Sequence, residues 1–311
     1  MGKLQNLIGQ KRLKNMIQRD ITACRIAKEI FPHSMLLGPG GLGKTSFTEA
    51  IAHDLDYHFV MIEGAMVKTR KQMLHRLADA SAKAEAYERP LLFFIDEVHR
   101  LAADPQESLY YPMTQWKITE LDADIPPFAL FAATTHPHML LRPFLSRIRN
   151  KWHLDRYSED DIQLILLNEF DKYKLIIDAA NLDKIAKRCL GIPRLATDLT
   201  LKVRNEVLCR GGELQVTAQD CDRTFSLESI DPIGLNAVQV KYLIVLYEAQ
   251  GTPKGVGGLA GVLDRDVEVV CDSIEPVLLS LSFIDRTRSG RVLTAKGRKH
   301  LIKTGKIMEA A

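Results

Sequence analysis

Residues Gly38–Thr45 read GPGGLGKT, and this octapeptide limits the possible folds more than any other feature of the chain. It fits GxxxxGK[ST]. It follows a short apolar run, Ser34–Leu37, and opens an amphipathic stretch over Lys44–Leu55. A strand, a glycine-rich turn and a helix in that order point successive backbone N–H groups inward and add the positive end of a helix. Such a loop cradles phosphates. Gly38, Gly40, Gly41 and Gly43 are expected to shape it. Lys44 is expected to reach the β- and γ-phosphates of a nucleotide, and the Thr45 hydroxyl to ligate Mg²⁺.

The surrounding pattern supplies a sheet for that loop. Strands are predicted at His58–Ile62, Leu91–Ile95, Phe128–Ala133 and Lys151–Leu154, with helices at Lys71–Tyr87 and Pro105–Gln115 between them. The run LLFFI at Leu91–Ile95 does not alternate, as expected of a strand covered on both faces. The predicted class is therefore α/β, a doubly wound parallel sheet over residues 1–154. Helical signals then take over. Ser158 with Asp161 opens one helix, Asn181–Cys189, Pro193–Cys209 and Thr217–Phe225 follow, and 155–226 reads as a small all-helical lid. Residues 227–235 look like a linker. The remainder of 227–311 gives helices at Val238–Glu248, within Gly255–Leu263 and at Asp266–Leu281. Two short strands, Phe283–Arg286 and Arg291–Leu293, then join across Ser289-Gly290, which is the order of a winged helix.

The P-loop requires a carboxylate partner, and Asp96-Glu97 stands at the end of Leu91–Ile95, where ligands bind in open α/β sheets. Asp96 is expected to hold Mg²⁺, and Glu97 to orient and polarise an attacking water. Thr134-Thr135 ends the next strand, where a hydroxyl can bridge that water and the γ-phosphate. Arg142 and Arg147 follow, and an arginine projecting there can complete a neighbouring protomer's site. Arg194 opens a lid helix, where it can touch the γ-phosphate. Ile8 and Tyr157 are candidates for the adenine pocket. His136 and His138 lack a third ligand and read as a loop pair without metal.

The whole chain bounds the setting. Its 311 residues exceed one ordinary core, and its net charge of +3 neither demands nor excludes nucleic acid. The charge is unevenly placed: residues 284–306 carry four arginines and four lysines against Asp285, a net +7 in 23 residues. Arg286, Arg288 and Arg291 in this basic wing suit phosphates more than base edges. The five cysteines, Cys24, Cys189, Cys209, Cys221 and Cys271, form no CxxC pair, which fits a reducing cytoplasm and no zinc. No apolar run is long enough for a membrane span. Met1-Gly2 with Asn6 does not complete an acylation signal.

Together these features resemble the AAA+ ATPases, and within them the RuvB family of Holliday-junction branch-migration motors. The resemblance runs over nearly the whole chain, through Ile8–Gln10 (IGQ), GLGKT, Phe94–Leu101 (FIDEVHRL), Ile125–Phe128 (IPPF), Ala132–Thr135 (AATT) and Arg156–Ile162. It continues through Gly191–Arg194 (GIPR), Ile233–Asn236, Ile274–Leu279 and Phe283–Thr294 (FIDRTRSGRVLT). It implies that Lys44, Thr45 and Ser46 bind nucleotide and Mg²⁺, that Asp96 and Glu97 are the Walker B pair, and that Thr135 is the sensor. It implies Arg147 as the trans-acting finger, Tyr157 at adenine, Arg194 as lid sensor, and Arg286 and Arg291 at DNA phosphates. It further implies a hexameric ring around duplex or four-way-junction DNA. One departure concerns residues 115–124, where the family carries a β-hairpin that docks a RuvA-type partner. The stretch is too short for the full hairpin, so a different partner or none is expected, as in a diverged or phage-borne homologue. A loader that places a protein on DNA is the alternative activity, although loaders usually end in a helical collar. A non-catalytic scaffold is a third reading, and it would need neither Glu97 nor Arg147.

Overall fold

The computed structural model describes residues 3–308. Met1-Gly2, where the acylation signal was considered, and residues 309–311 lie outside them. The chain divides into two compact units, Met1–Tyr157 and Ser158–Ala311. The division falls three residues beyond the boundary expected at 154, and the lid and winged regions share one unit.

In the first unit, helix α1 (Lys11–Ala27) precedes β1 (Ser34–Leu37), α2 (Lys44–Leu55) and β2 (His58–Glu63). Then come α3 (Arg70–Ala86), β3 (Leu91–Asp96), α4 (Ala103–Ser108) and α5 (Pro112–Gln115). The single helix expected over Pro105–Gln115 is broken because Pro112 has no N–H to continue it. Two-residue strands β4 (Lys117–Ile118) and β5 (Ala123–Asp124) pair antiparallel, a minimal hairpin where the family's longer one was expected to be cut short. Strand β6 (Ala129–Thr134), α6 (Arg142–Arg147) and β7 (Asn150–His153) complete the unit.

The five main strands are all parallel, in the order β2-β3-β6-β1-β7. Strand β6 therefore lies between β1 and β3, with Leu37 beside Thr134 and Ile95 beside Ala132. The P-loop, the carboxylates after β3 and the threonines after β6 consequently leave the sheet at one edge. Leu91–Ile95 and Ala129–Thr134 are buried throughout, as the unbroken apolar run required. His33 ties the core to α5. Its Nδ1 accepts from the Leu130 N–H at 2.9 Å, and its Nε2 lies 3.0 Å from the Met113 carbonyl. Burial holds its pKa below the ordinary value, consistent with this neutral, bridging role.

In the second unit, α7 (Glu159–Lys172), α8 (Ala179–Ala186), α9 (Pro193–Arg210) and α10 (Ala218–Leu227) form the helical part. Ser158 caps α7 by accepting the Asp161 N–H, and Thr217 with Asp220 forms a capping box on α10. Helices α11 (Ala237–Glu248) and α12 (Val256–Leu263) begin the winged part. The helix expected over Asp266–Leu281 is three segments: α13 (Val267–Val269), a π-helical turn over Val270–Ile274, and α14 (Glu275–Ser280). Pro276 is the cause, since it cannot donate within the helix and its ring crowds the preceding turn. Strands β8 (Ile284–Thr287) and β9 (Gly290–Leu293) make the wing, and α15 (Ala295–Lys303) follows.

The two parts of this unit are joined tightly. His300 Nε2 of α15 lies 2.7 Å from Asp231 Oδ2, both side chains being buried, while Asp231 Oδ1 accepts from the Ile233 and Leu235 N–H groups. Gly234, at φ +99°, packs so closely on the lid that a Cβ there would come within 2.2 Å of the Arg188 carbonyl oxygen. Only glycine fits that approach.

Candidate nucleotide site and nucleic-acid interface

The P-loop is shaped by contacts within its own unit. Gly38 adopts φ +143°, and a Cβ there would meet the Leu154 carbonyl at 2.8 Å. Lys44 is buried, and its ammonium donates to the carbonyls of Gly38 and Pro39 at 2.9 and 3.1 Å. The Tyr157 hydroxyl donates to the Leu42 carbonyl at 3.2 Å, which lays its ring against the same loop. Ile8 is half-buried just ahead of α1, and Ser46 is exposed on the first turn of α2.

Across the sheet edge, Thr45 Oγ1 lies 3.4 Å from Asp96 Oδ2. A hydroxyl and a carboxylate so placed are the hard oxygen donors that suit Mg²⁺, and both residues fit that ion. Asp96 Oδ1 accepts the Glu97 N–H at 3.0 Å, and Glu97 itself is left-handed at φ +47°. That conformation turns the chain off β3. Burial raises the Glu97 carboxyl above its ordinary pKa, against the pull of Lys44. Gly64 faces the same turn, where a Cβ would meet the Glu97 carbonyl at 2.5 Å.

Thr134 is the last residue of β6 and is fully buried, while Thr135 is half-buried just beyond it. Thr135 Oγ1 lies 2.7 Å from His136 Nδ1, and Thr134 Oγ1 accepts the His136 N–H at 2.9 Å. His99 enters the same cluster, 3.2 Å from Glu97 Oε2 and 2.9 Å from Thr134 Oγ1. Sequence reasoning missed His99, although a lone histidine two residues after the Glu97 carboxylate was there to see. His136 was read as part of a loop pair; the structure also sets it against Thr135 and His99.

Arg147 ends α6 half-exposed, donating to the Pro143 and Tyr110 carbonyls and lying over the Tyr110 ring at 4.5 Å. Arg142, at the start of α6, is exposed. Arg194 is the second residue of α9 and is exposed within the second unit.

The wing differs in part from expectation. Glu275 is fully buried and accepts from Tyr242 (2.9 Å), from Arg286 Nε (2.8 Å) and from Arg291 Nε (2.8 Å) and Nη2 (3.2 Å). Arg291, with 18 % of its side chain exposed, is committed to this pair, so its expected role at phosphate gives way to a structural one. Arg286, with 47 % exposed, is shared, and Arg288 at the hairpin tip is exposed. The third helix exposes Glu268 and Asp272, and the turn before it exposes Asp264 and Asp266 with Arg265 between them. The basic surface lies instead on the wing and on α15, where Lys296, Arg298, Lys299 and Lys303 are exposed.

Comparison with known proteins settles the kinship. Residues 2–154 match the family model described as the Holliday junction DNA helicase RuvB P-loop domain, and residues 232–302 match the RuvB C-terminal winged helix domain. A curated relative from Helicobacter acinonychis, the Holliday junction branch migration complex subunit RuvB, is 31% identical over 94% of this chain and 88% of its own. The chain belongs to the RuvB family. A RuvB-named relative from Streptococcus equi subsp. zooepidemicus is also 31% identical, over 96% of this chain and 90% of its own. Among solved structures, the Thermotoga maritima RuvB Holliday junction branch migration motor superimposes with a TM-score of 0.86. It is 31% identical, with 96% of each chain covered. The α/β P-loop unit and the winged helix are thus those of RuvB-family ATPases. No helix among the described residues is long and apolar enough to cross a membrane.

Proposed function

We propose that the chain is an ATP-driven translocase that moves branched or plain duplex DNA through a ring of identical subunits, with branch migration of Holliday junctions as its reaction. The observation that carries this reading is the convergence of Lys44, Thr45, Asp96 and Glu97 at one end of the parallel sheet, in a chain that also carries a basic wing. A scaffold needs no lytic carboxylate, and a loader of the usual kind lacks the wing. Thr45 and Asp96 would hold Mg²⁺, which would supply charge neutralisation on the phosphates. Lys44 binds the phosphates, Glu97 orients water, and Thr135 senses the γ-phosphate. Tyr157 and Ile8 receive adenine, and Arg194 reads the nucleotide from the lid. Arg147, braced over Tyr110, serves the neighbouring subunit in a hexamer. DNA is gripped through Arg288, the open side of Arg286 and the lysines of α15, because the acidic third helix is repelled by phosphate. The cell compartment proposed is the cytoplasm. The β4–β5 hairpin has only two residues per strand, so a RuvA-type partner does not dock on it. The test is ATP hydrolysis with and without duplex and four-way junctions, alongside Glu97→Gln. Stimulation by DNA with an inactive Glu97→Gln supports the reading, and normal turnover by Glu97→Gln removes the assignment of the base.

A further inference from the structure

We propose that His99 and His136 are positioning residues that couple the threonines at the end of β6 to Glu97. The idea rests on the reading of Glu97 as the group that orients the lytic water.

His99 stands in the short turn Val98–Arg100, and only 8 % of its side chain is exposed. Its Nδ1 is within reach of two oxygens, Glu97 Oε2 at 3.2 Å and Thr134 Oγ1 at 2.9 Å. An ionised carboxylate can only accept, so Nδ1 carries the proton in the contact with Glu97. One N–H cannot make two linear bonds at full strength, so the carboxylate and the hydroxyl compete for it. Thr134 Oγ1 is already fixed by the His136 N–H at 2.9 Å. The His136 ring in turn meets Thr135 Oγ1 at 2.7 Å and the His99 ring edge-on at 4.9 Å between centroids. Glu97, His99, Thr134, His136 and Thr135 therefore form one connected cluster that spans the ends of β3 and β6.

The consequence is a two-position device. With Thr135 turned to His136, His99 shares its proton with Glu97 and holds the carboxylate aside. When Thr135 turns to a γ-phosphate, His136 is released and shifts against His99. The His99 N–H then moves fully to Thr134, and Glu97 is freed to face water. Buried histidines often serve packing alone, so the test needs a readout that packing does not move.

That readout is the split between kcat and KM for ATP, measured on the full chain without DNA. His99→Ala is expected to raise kcat at least about threefold while KM stays within about twofold, since the restraint acts on the chemical step and not on binding. His99→Asn, whose amide N–H can replace Nδ1–H, is expected to return kcat to the wild-type value. His136→Ala is expected to lower kcat, since nothing then displaces His99 from Glu97, and the double variant to match His99→Ala. An unchanged or lowered kcat in His99→Ala, or a double variant that falls clearly below His99→Ala, overturns the coupling. Should His99→Ala fail to fold, His99→Asn and His136→Ala carry the same decision, with an unchanged or raised kcat in His136→Ala counting against it. Glu97→Gln separates the two ideas. Turnover surviving in Glu97→Gln sinks the role of Glu97 itself, whereas an inactive Glu97→Gln beside an unaltered His99→Ala sinks only the histidine relay.

Discussion

Replacing Glu275 by glutamine keeps the shape of the side chain and removes its charge, which isolates the ion pair from any packing effect. In the native protein the carboxylate is fully buried and holds Arg291, itself only 18 % exposed, through two bonds of 2.8 and 3.2 Å. Removing one partner of a buried pair costs about 3–5 kcal/mol, because the remaining charge is left without compensation. Arg286 is 47 % exposed and adds at most about 1 kcal/mol, since water screens it. The glutamine oxygen still accepts from Tyr242, so the low end applies, roughly 3 kcal/mol in all. With a slope of about 2–3 kcal/mol/M, the urea midpoint of the second unit should fall by about 1 M. Far-UV circular dichroism measures this. Fluorescence of Trp116 and Trp152, both in the first unit, is expected to move less.

The pH dependence follows from the sign of the shift. Burial alone would raise the Glu275 carboxyl, but bonds from Arg291, Tyr242 and Arg286 outweigh it and hold it below its ordinary 4.5. Its contribution is therefore complete above that value and is lost as pH falls through the lower folded one. The gap between wild type and Glu275→Gln should be constant from neutrality to about pH 5 and narrow progressively as pH falls below 4.5. A midpoint shift under about 0.3 M at pH 7 would show that the pair contributes little and that Arg291 is available to other partners.

Lys44→Ala is expected to lose ATP binding and Arg147→Ala to retain it. Each should be nearly inactive alone, and mixing the two should recover measurable hydrolysis if Arg147 works in trans. Arg288→Ala combined with Arg286→Ala should weaken duplex binding for all sequences and reduce the salt slope by up to about 2 if each arginine contacts one phosphate. Adding Arg291→Ala should bring loss of stability but no further fall in that slope, which titrations at several salt concentrations would show. A pull-down with a RuvA-type protein should recover nothing, and a tight complex would contradict the role given to the short β4–β5 hairpin.

The P-loop and the strand beside it were readable because their signals are local. The spacing of Gly38–Thr45 and the carboxylates directly after an apolar strand place their own groups, and the sheet order only brings the two ends together. The wing was misread for the opposite reason. Arg291 and Glu275 are 16 residues apart, and an arginine facing phosphate looks the same in sequence as one facing a buried carboxylate. The available signal was Glu275 itself, a charge set among Ile274, Val277 and Leu278 on the core-facing side of a helix. Helix α1 went unassigned because only Leu13, Ile17 and Ile21 mark its inner stripe and no side chain caps its start. The π-helical turn was signalled by Pro276, which falls well inside the helix expected over Asp266–Leu281 and cannot donate to the turn before it.

Gly234 and the Asp231–His300 bond bear on how work travels through the molecule. A joint with no room for even one methyl group has little slack, and a buried hydrogen bond fastens its far side. Any rotation of the helical segment would then arrive at the basic hairpin with little lost to bending, as torque does through a solid crank. Swapping that glycine for alanine would put play in the crank: fuel would still be burned, but less of each turn would reach the DNA.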